Sequence, residues 1–160
     1  MNWHEQNAEF NELIKKLFHD KNWQSRAEAA RKLGLLRDGR ATNLLCRALR
    51  SEIDQIVGNK IIEALGRIGD GRATLRIIEK LKEEEEKEEI DKFRIIYIIE
   101  SLTKIKDKRA LSYLSPLLNS SDSDIKNLTY KAFDSIEPDW EQIVERERNK
   151  SIQEIFKTKN

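Results

Sequence analysis

Asp38-Gly39-Arg40-Ala41 returns as Asp70-Gly71-Arg72-Ala73 after 32 residues, and as Asp107-Lys108-Arg109-Ala110 after a further 37. A second phrase precedes each copy. Leu33-Gly34-Leu35-Leu36 matches Leu65-Gly66-Arg67-Ile68, and Leu102-Thr103-Lys104-Ile105 and Phe133-Asp134-Ser135-Ile136 follow the same pattern. Apolar columns follow the Asp phrases: Leu45, Ile77 and Leu114, then Leu49, Leu81 and Leu118. Counting back 32 residues from Leu45 and Leu49 reaches Leu13 and Leu17, so the first unit begins within the N-terminal helix. Agreement in this many columns marks an internal repeat.

Each unit reads as two helices. In the first, Leu75, Ile78 and Leu81, with Ile77 beside them, have helical spacing over about Arg72 to Lys82. The preceding Asp is an N-cap, because its carboxylate accepts the orphan N–H groups of the first turn. The second helix carries a wider apolar face, as in Ile56, Ile61, Ile62, Ala64 and Leu65, and Gly66 and Gly69 are expected to end it. The units run 7–37, 38–69, 70–106 and 107–137, in one domain over 1–160. Trp140, Ile143, Val144, Ile152, Ile155 and Phe156 predict a closing C-terminal helix over 139–156, entered after Pro138. The polar stretch Glu145 to Ser151 leaves a second reading open, in which the last residues form a loose tail.

Composition agrees with an all-α chain. Leu, Ile, Val and Phe number 43 of 160 residues, but only two are Val. That is too apolar for disorder, and Leu, Ile, Glu, Lys and Ala dominate. The 30 basic and 29 acidic residues leave a formal charge of +1, which gives no electrostatic footprint for nucleic acid. No long uncharged apolar stretch suits a membrane span. The opening residues lack the basic and apolar regions of a secretory signal, so a reduced cytoplasmic compartment is expected, with Cys46 a buried thiol.

The phrase Arg26-x-x-Ala29-Ala30-x-x-Leu33-Gly34 followed by Asp38-Gly39-Arg40-Ala41 resembles a HEAT repeat, of the short subtype named after phycobilin lyase subunits. Leu118 to Lys126 is similar to that family's inter-helix turn. The resemblance spans about 15–137. It departs where Gly58 and Ile95 replace the family's basic residue, and where Gly39, Gly71 and Lys108 replace its proline. It implies an α-α superhelix, a HEAT-like solenoid of about four two-helix repeats plus a C-terminal helix, with the second helices lining the concave face.

Taking Leu33, Leu65, Leu102 and Phe133 as anchors, the residues expected to point outward are Glu28, Arg31, Lys60, Glu63, Arg67, Tyr97, Glu100, Lys104, Leu128 and Lys131. This polar rim around Tyr97 and Leu128 suits a partner protein, and a non-catalytic interaction module is the leading expectation. The alternatives are an accessory subunit of a bilin-lyase-like enzyme and a nucleic-acid binder, the latter disfavoured by the mixed charges. Within the column Arg31, Glu63, Glu100 and Lys131, pairing between repeats (Arg31 with Glu63, Glu100 with Lys131) is the competing structural role.

The run Glu83 to Glu89 reads as an overlong helix end steadied by Lys80–Glu84, Lys82–Glu86 and Glu83–Lys87, or as a docking ridge for a basic partner. Arg40, Arg72 and Arg109 are placed to bridge loops between repeats. His4 and His19 share no metal-ligand spacing with carboxylates, and no phosphate loop, nucleophile elbow or Cys-x-x-Cys occurs. No cofactor, metal or catalytic residue is therefore expected.

Overall fold

A computed structural model of the chain describes residues 2–158; of the domain read as 1–160, residues 1, 159 and 160 lie outside the described residues. Among these residues the chain forms helices and no strand. They come in antiparallel pairs: α1 (Trp3–His19) with α2 (Trp23–Leu36), α3 (Thr42–Ser51) with α4 (Gln55–Ile68), α5 (Thr74–Glu85) with α6 (Lys92–Ile105), and α7 (Leu111–Leu114) with α8 (Ser123–Ile136). Two short helices follow, α9 (Trp140–Arg146) and α10 (Ile152–Ile155). The single closing helix expected over 139–156 is thus broken. Residues 147–151 carry no apolar side chain to hold a helix against the array, and Ser151 starts α10 by accepting from the Glu154 N–H.

The repeat columns form the core. Leu33, Leu65, Leu102 and Phe133 are fully buried, as are Leu45, Ile77 and Leu114. Leu13, Leu17, Leu49, Leu81 and Leu118 join them. Burying one such side chain contributes about 1.5–3 kcal/mol. Two expectations fail at helix starts: Leu75 and Ile56 are exposed. The core faces instead begin at Ile77 and at Val57, which aligns with Ile61, Ala64 and Leu65 at the i+4, i+7 and i+8 positions. Ile56 stands one residue, or about 100°, off that face.

The Asp phrases start a turn earlier than expected. Asp38, Asp70 and Asp107 accept from the N–H groups of Arg40, Arg72 and Arg109, capping 3-10 turns over Gly39–Ala41, Gly71–Ala73 and Lys108–Ala110 that lead into α3, α5 and α7. α7 is short because Pro116 follows, and the chain continues as a 3-10 turn over Ser115–Asn119.

Successive second helices α2, α4, α6 and α8 lie side by side, while the first helices share fewer neighbours. Glycine permits the closest approaches. A Cβ at Gly34 would lie 2.8 Å from Ala64 Cα, and one at Gly66 would lie 2.9 Å from Ser101 Cα. Gly66 therefore does not end its helix: it is buried within α4, and Ser101 Oγ donates to the Ile62 carbonyl at 2.5 Å beside it.

Gly69 does end α4, in the left-handed conformation at φ 75°. Arg37 and Lys106 take the same role after α2 and α6 at φ 50° and 58°, although they carry a Cβ.

Two stability predictions follow from these backbone positions. Gly34→Leu costs about 1–3 kcal/mol by overpacking the α2–α4 contact, whereas Gly39→Ala, whose new methyl meets nothing nearer than 3.9 Å, leaves the urea midpoint almost unchanged. Lys106→Gly raises stability by about 0.5–1 kcal/mol by relieving left-handed strain, read as a higher urea midpoint at unchanged slope.

Candidate protein interface

The second-helix face divides in two. On its N-terminal half the charged residues are satisfied within their own helices. Arg31 makes a two-pronged contact with Glu28, at 2.6 and 2.8 Å, and this hydrogen bond lowers the Glu28 pKa. Glu63 lies 3.8 Å from Lys60 and 3.7 Å from Arg67. The Arg67 stem also covers Gly34, with its Cδ 3.5 Å from where a Cβ would be. The expected pairs between repeats, Arg31 with Glu63 and Glu100 with Lys131, do not form: the observed ion pairs on this face are between residues three or four apart on one helix. Such neighbours lie close without any reach across the groove between helices.

On the C-terminal half, Glu100, Lys104 and Lys131 are exposed and have no ion-pair partner within 4 Å among the described residues. Tyr97 and Leu128 are half-buried and packed on the core. The Lys60 ammonium lies 5.9 Å from the Tyr97 ring centroid, a cation–π distance that links α4 to α6. Of the ten residues read from the repeats, Lys60 and Tyr97 are brought together across two helices. Those of the ten on α2 and α4 are neutralised internally, while three of those on α6 and α8 keep free charge.

Along one edge of the array, each Asp phrase clamps its own turn and reaches back to the repeat before it. Arg72 Nη2 lies 2.6 Å from Asp70 Oδ2 and donates to the Gly39 carbonyl at 3.1 Å. Arg109 Nη2 repeats this on Asp107 at 2.6 Å and the Gly71 carbonyl at 3.0 Å. Arg40 pairs with Asp38 and, with no Asp phrase in the unit before it, donates to Asn7 Oδ1 of α1 at 3.0 Å. At the far end Lys108 pairs with Glu137 at 2.9 Å. The side-chain and backbone hydrogen bonds from Arg72 hold the Asp70 carboxyl down to about 2. These residues fasten turns.

The acidic run is not uniformly solvated. Glu84 is 2% exposed, accepts from the Asp91 N–H at 2.9 Å and pairs with Lys87 at 2.6 Å. The expected i,i+4 partners are replaced by Lys80–Glu83 and Glu84–Lys87, because α5 ends at Glu85 and the chain turns. On the opposite edge, Arg26 of the repeat phrase finds a partner that the repeat reading passed over, as it passed over Arg94. Arg26 grips Glu52 through two hydrogen bonds of 3.0 and 3.1 Å. Arg94 is buried and donates to Gln55 Oε1 at 2.8 Å, and a Cβ at Gly58 would lie 2.7 Å from its Nη2. The basic residue missing at Gly58 is thus supplied by Arg94 of the next unit, one position before Ile95. That one-residue offset hid it from column matching.

Among the described residues no helix is long and apolar enough to cross a membrane, and no group of three or more His, Cys, Asp or Glu side chains is placed to hold a metal ion. Cys46 is buried, and burial raises its pKa.

Asp70→Ala destabilises the array by about 0.5–2 kcal/mol at pH 7 through the lost cap. Because the folded pKa is depressed, the Asp70 contribution is complete above the ordinary value of 3.8 and vanishes as the pH falls toward about 2. The wild-type and variant stability curves therefore converge across that window, which urea titrations at stepped pH measure.

Among curated proteins none matches the sequence significantly. A family model described as HEAT repeats matches residues 10–91, more than half of the chain. That span holds the second half of α1 and all of α2 to α5, and α6 and the α7–α8 pair continue the same architecture beyond it: the chain belongs to the HEAT-repeat family.

Proposed function

We propose that the chain is a non-catalytic module that holds a protein partner on its second-helix face, with the contact centred on α6 and α8. The observation that carries this reading is the contrast between the two halves of the face. The candidate charges on α2 and α4 are already paired, so a partner gains little by meeting them. Glu100, Lys104 and Lys131 are unpaired and frame half-buried Tyr97 and Leu128. An aromatic side chain fixed by packing and ringed by polar groups is the usual form of a binding hot spot. The 32-residue offset of the first two Asp-Gly-Arg-Ala phrases supports placing the repeats in the short subtype named after phycobilin lyase subunits.

Affinity capture from a native lysate, with the wild type beside a Tyr97→Ala, Glu100→Lys double variant, tests this. The expected result is a protein retained by the wild type and lost by the variant. Its affinity in a purified titration falls about tenfold or more. Equal retention by the two proteins removes the site from α6.

A further inference from the structure

Four apolar side chains stand exposed at the turns into α4 and α6: Ile53 is 95% exposed, Phe93 69%, Ile90 53% and Ile56 51%. Single exposed apolar residues are ordinary, but a contiguous row marks an interaction surface. These four occupy matching positions in adjacent repeats. Ile53 and Ile90 precede the N-caps Asp54 and Asp91, and Ile56 and Phe93 follow them by two residues. Side-chain bonds hold the two turns together. Gln55 Nε2 donates to Asp91 Oδ2 at 3.4 Å, and Arg94 Nη2 donates to Gln55 Oε1 at 2.8 Å, so Phe93 is flanked on both sides in the chain by residues that grip Gln55, next to Ile56. The row is a fixed feature of the array, independent of the second-helix face.

Its surroundings are acidic. Glu86, Glu88 and Glu89 are exposed and have no ion-pair partner within 4 Å among the described residues. The nearby cations are already engaged: Lys87 with Glu84 at 2.6 Å, and Lys92 with Asp122 at 3.0 Å and Asp124 at 2.8 Å. Asp54 and Asp91 accept from the first N–H groups of α4 and α6, which offsets the positive ends of those helices. A second copy of this chain would set the same carboxylates against each other, and an anionic membrane would be repelled for the same reason.

We propose that this edge is a second docking site and that its occupant is a basic amphipathic segment of a partner protein. Its apolar side chains would cover Ile53, Ile56, Ile90 and Phe93, while its Lys or Arg residues meet Glu86, Glu88 and Glu89. Apolar contact supplies affinity and the carboxylates select the sign of the partner.

The test uses two fluorescein-labelled 18-residue helical peptides with the same leucine face, one otherwise lysine and one otherwise glutamate, titrated with the full chain by anisotropy. The lysine peptide binds about tenfold or more tightly than the glutamate peptide. Ile53→Ser, Phe93→Ser and Glu88→Lys, Glu89→Lys double variants each weaken it about fivefold or more. All four positions are exposed, so circular dichroism stays that of the folded wild type. A Glu141→Lys, Glu145→Lys control on α9 binds as wild type, and so does the Tyr97→Ala, Glu100→Lys protein, which separates this site from the second-helix face. Equal binding of the two peptides, wild-type binding by the Ile53, Phe93 variant, or an equal loss in the α9 control overturns the proposal. So does a dimer in sedimentation, or flotation with phosphatidylserine-containing vesicles, that the Ile53→Ser, Phe93→Ser change abolishes.

Discussion

Leu33, Leu65 and Leu102 are buried because each second helix lies against the next, and Phe133 on the last because Trp140 and Phe156 close the end. A lone helix pair would leave this column open to water, and no pair here carries a second layer of its own. The constraint on everything else is therefore how near successive second helices can come. Gly34 opposite Ala64, and Gly66 opposite Ser101, set that distance by having no side chain. Leu33-Gly34 and Leu65-Gly66 are thus one device: the leucine fills the core and the glycine admits the neighbour that covers it.

Apolar columns alone would allow one repeat to slide along the next, since burial has little direction. Hydrogen bonds at the two edges remove that freedom. On one edge Arg72 and Arg109 tie Asp phrases to the carbonyls of Gly39 and Gly71 in the preceding turns. On the other, Arg26 holds Glu52 and Arg94 holds Gln55. Hydrogen bonds are directional where apolar burial is not, so the main effect of these ties is on register. Arg94 is the costly member. It is buried with its Nε unpartnered, burial lowers its pKa, and Gly58 must remain without a side chain to admit it.

Most of this frame was legible because repetition multiplies weak signals. The columns through Leu45 and Leu49 were read correctly from offsets alone, and so were the Arg bridges between loops. The failures have a common physical origin in effects that a column does not encode. Leu75 and Ile56 have helical apolar partners but each stands one residue off a buried face, beside Thr74 and Val57. Gly66 resembled a helix stop because a glycine for close approach and a glycine for a left-handed turn are the same letter. Glu84 sat within a charge run, and only the fold brings the Asp91 N–H to it. Ion pairs assigned between repeats formed within helices, since partners three or four residues along were nearer. The exposed row at Ile53 and Phe93 needed the three-dimensional edge to be seen as a row at all.

Tight contact thins along the array. Gly34 and Gly66 have no counterpart at the third interface, where Thr103 and Asp134 stand in that column. Thr103 Oγ1 turns back to its own Ile99 carbonyl at 2.7 Å, and Thr129 does the same to Ile125 on α8. Back-bonding of this kind bends helices slightly. Asp134 is used elsewhere, accepting from Trp140 Nε1 at 2.8 Å and so seating the aromatic cap in which Phe133 contacts Trp140 and Phe156. The α6–α8 interface is therefore the one built without glycine contact, and it is also where Glu100, Lys104 and Lys131 lack partners. The two features are separate in origin: glycine sets how near the backbones come, whereas charge on this face is paired along a single helix where it is paired at all, and on α6 and α8 no such pair forms among the described residues.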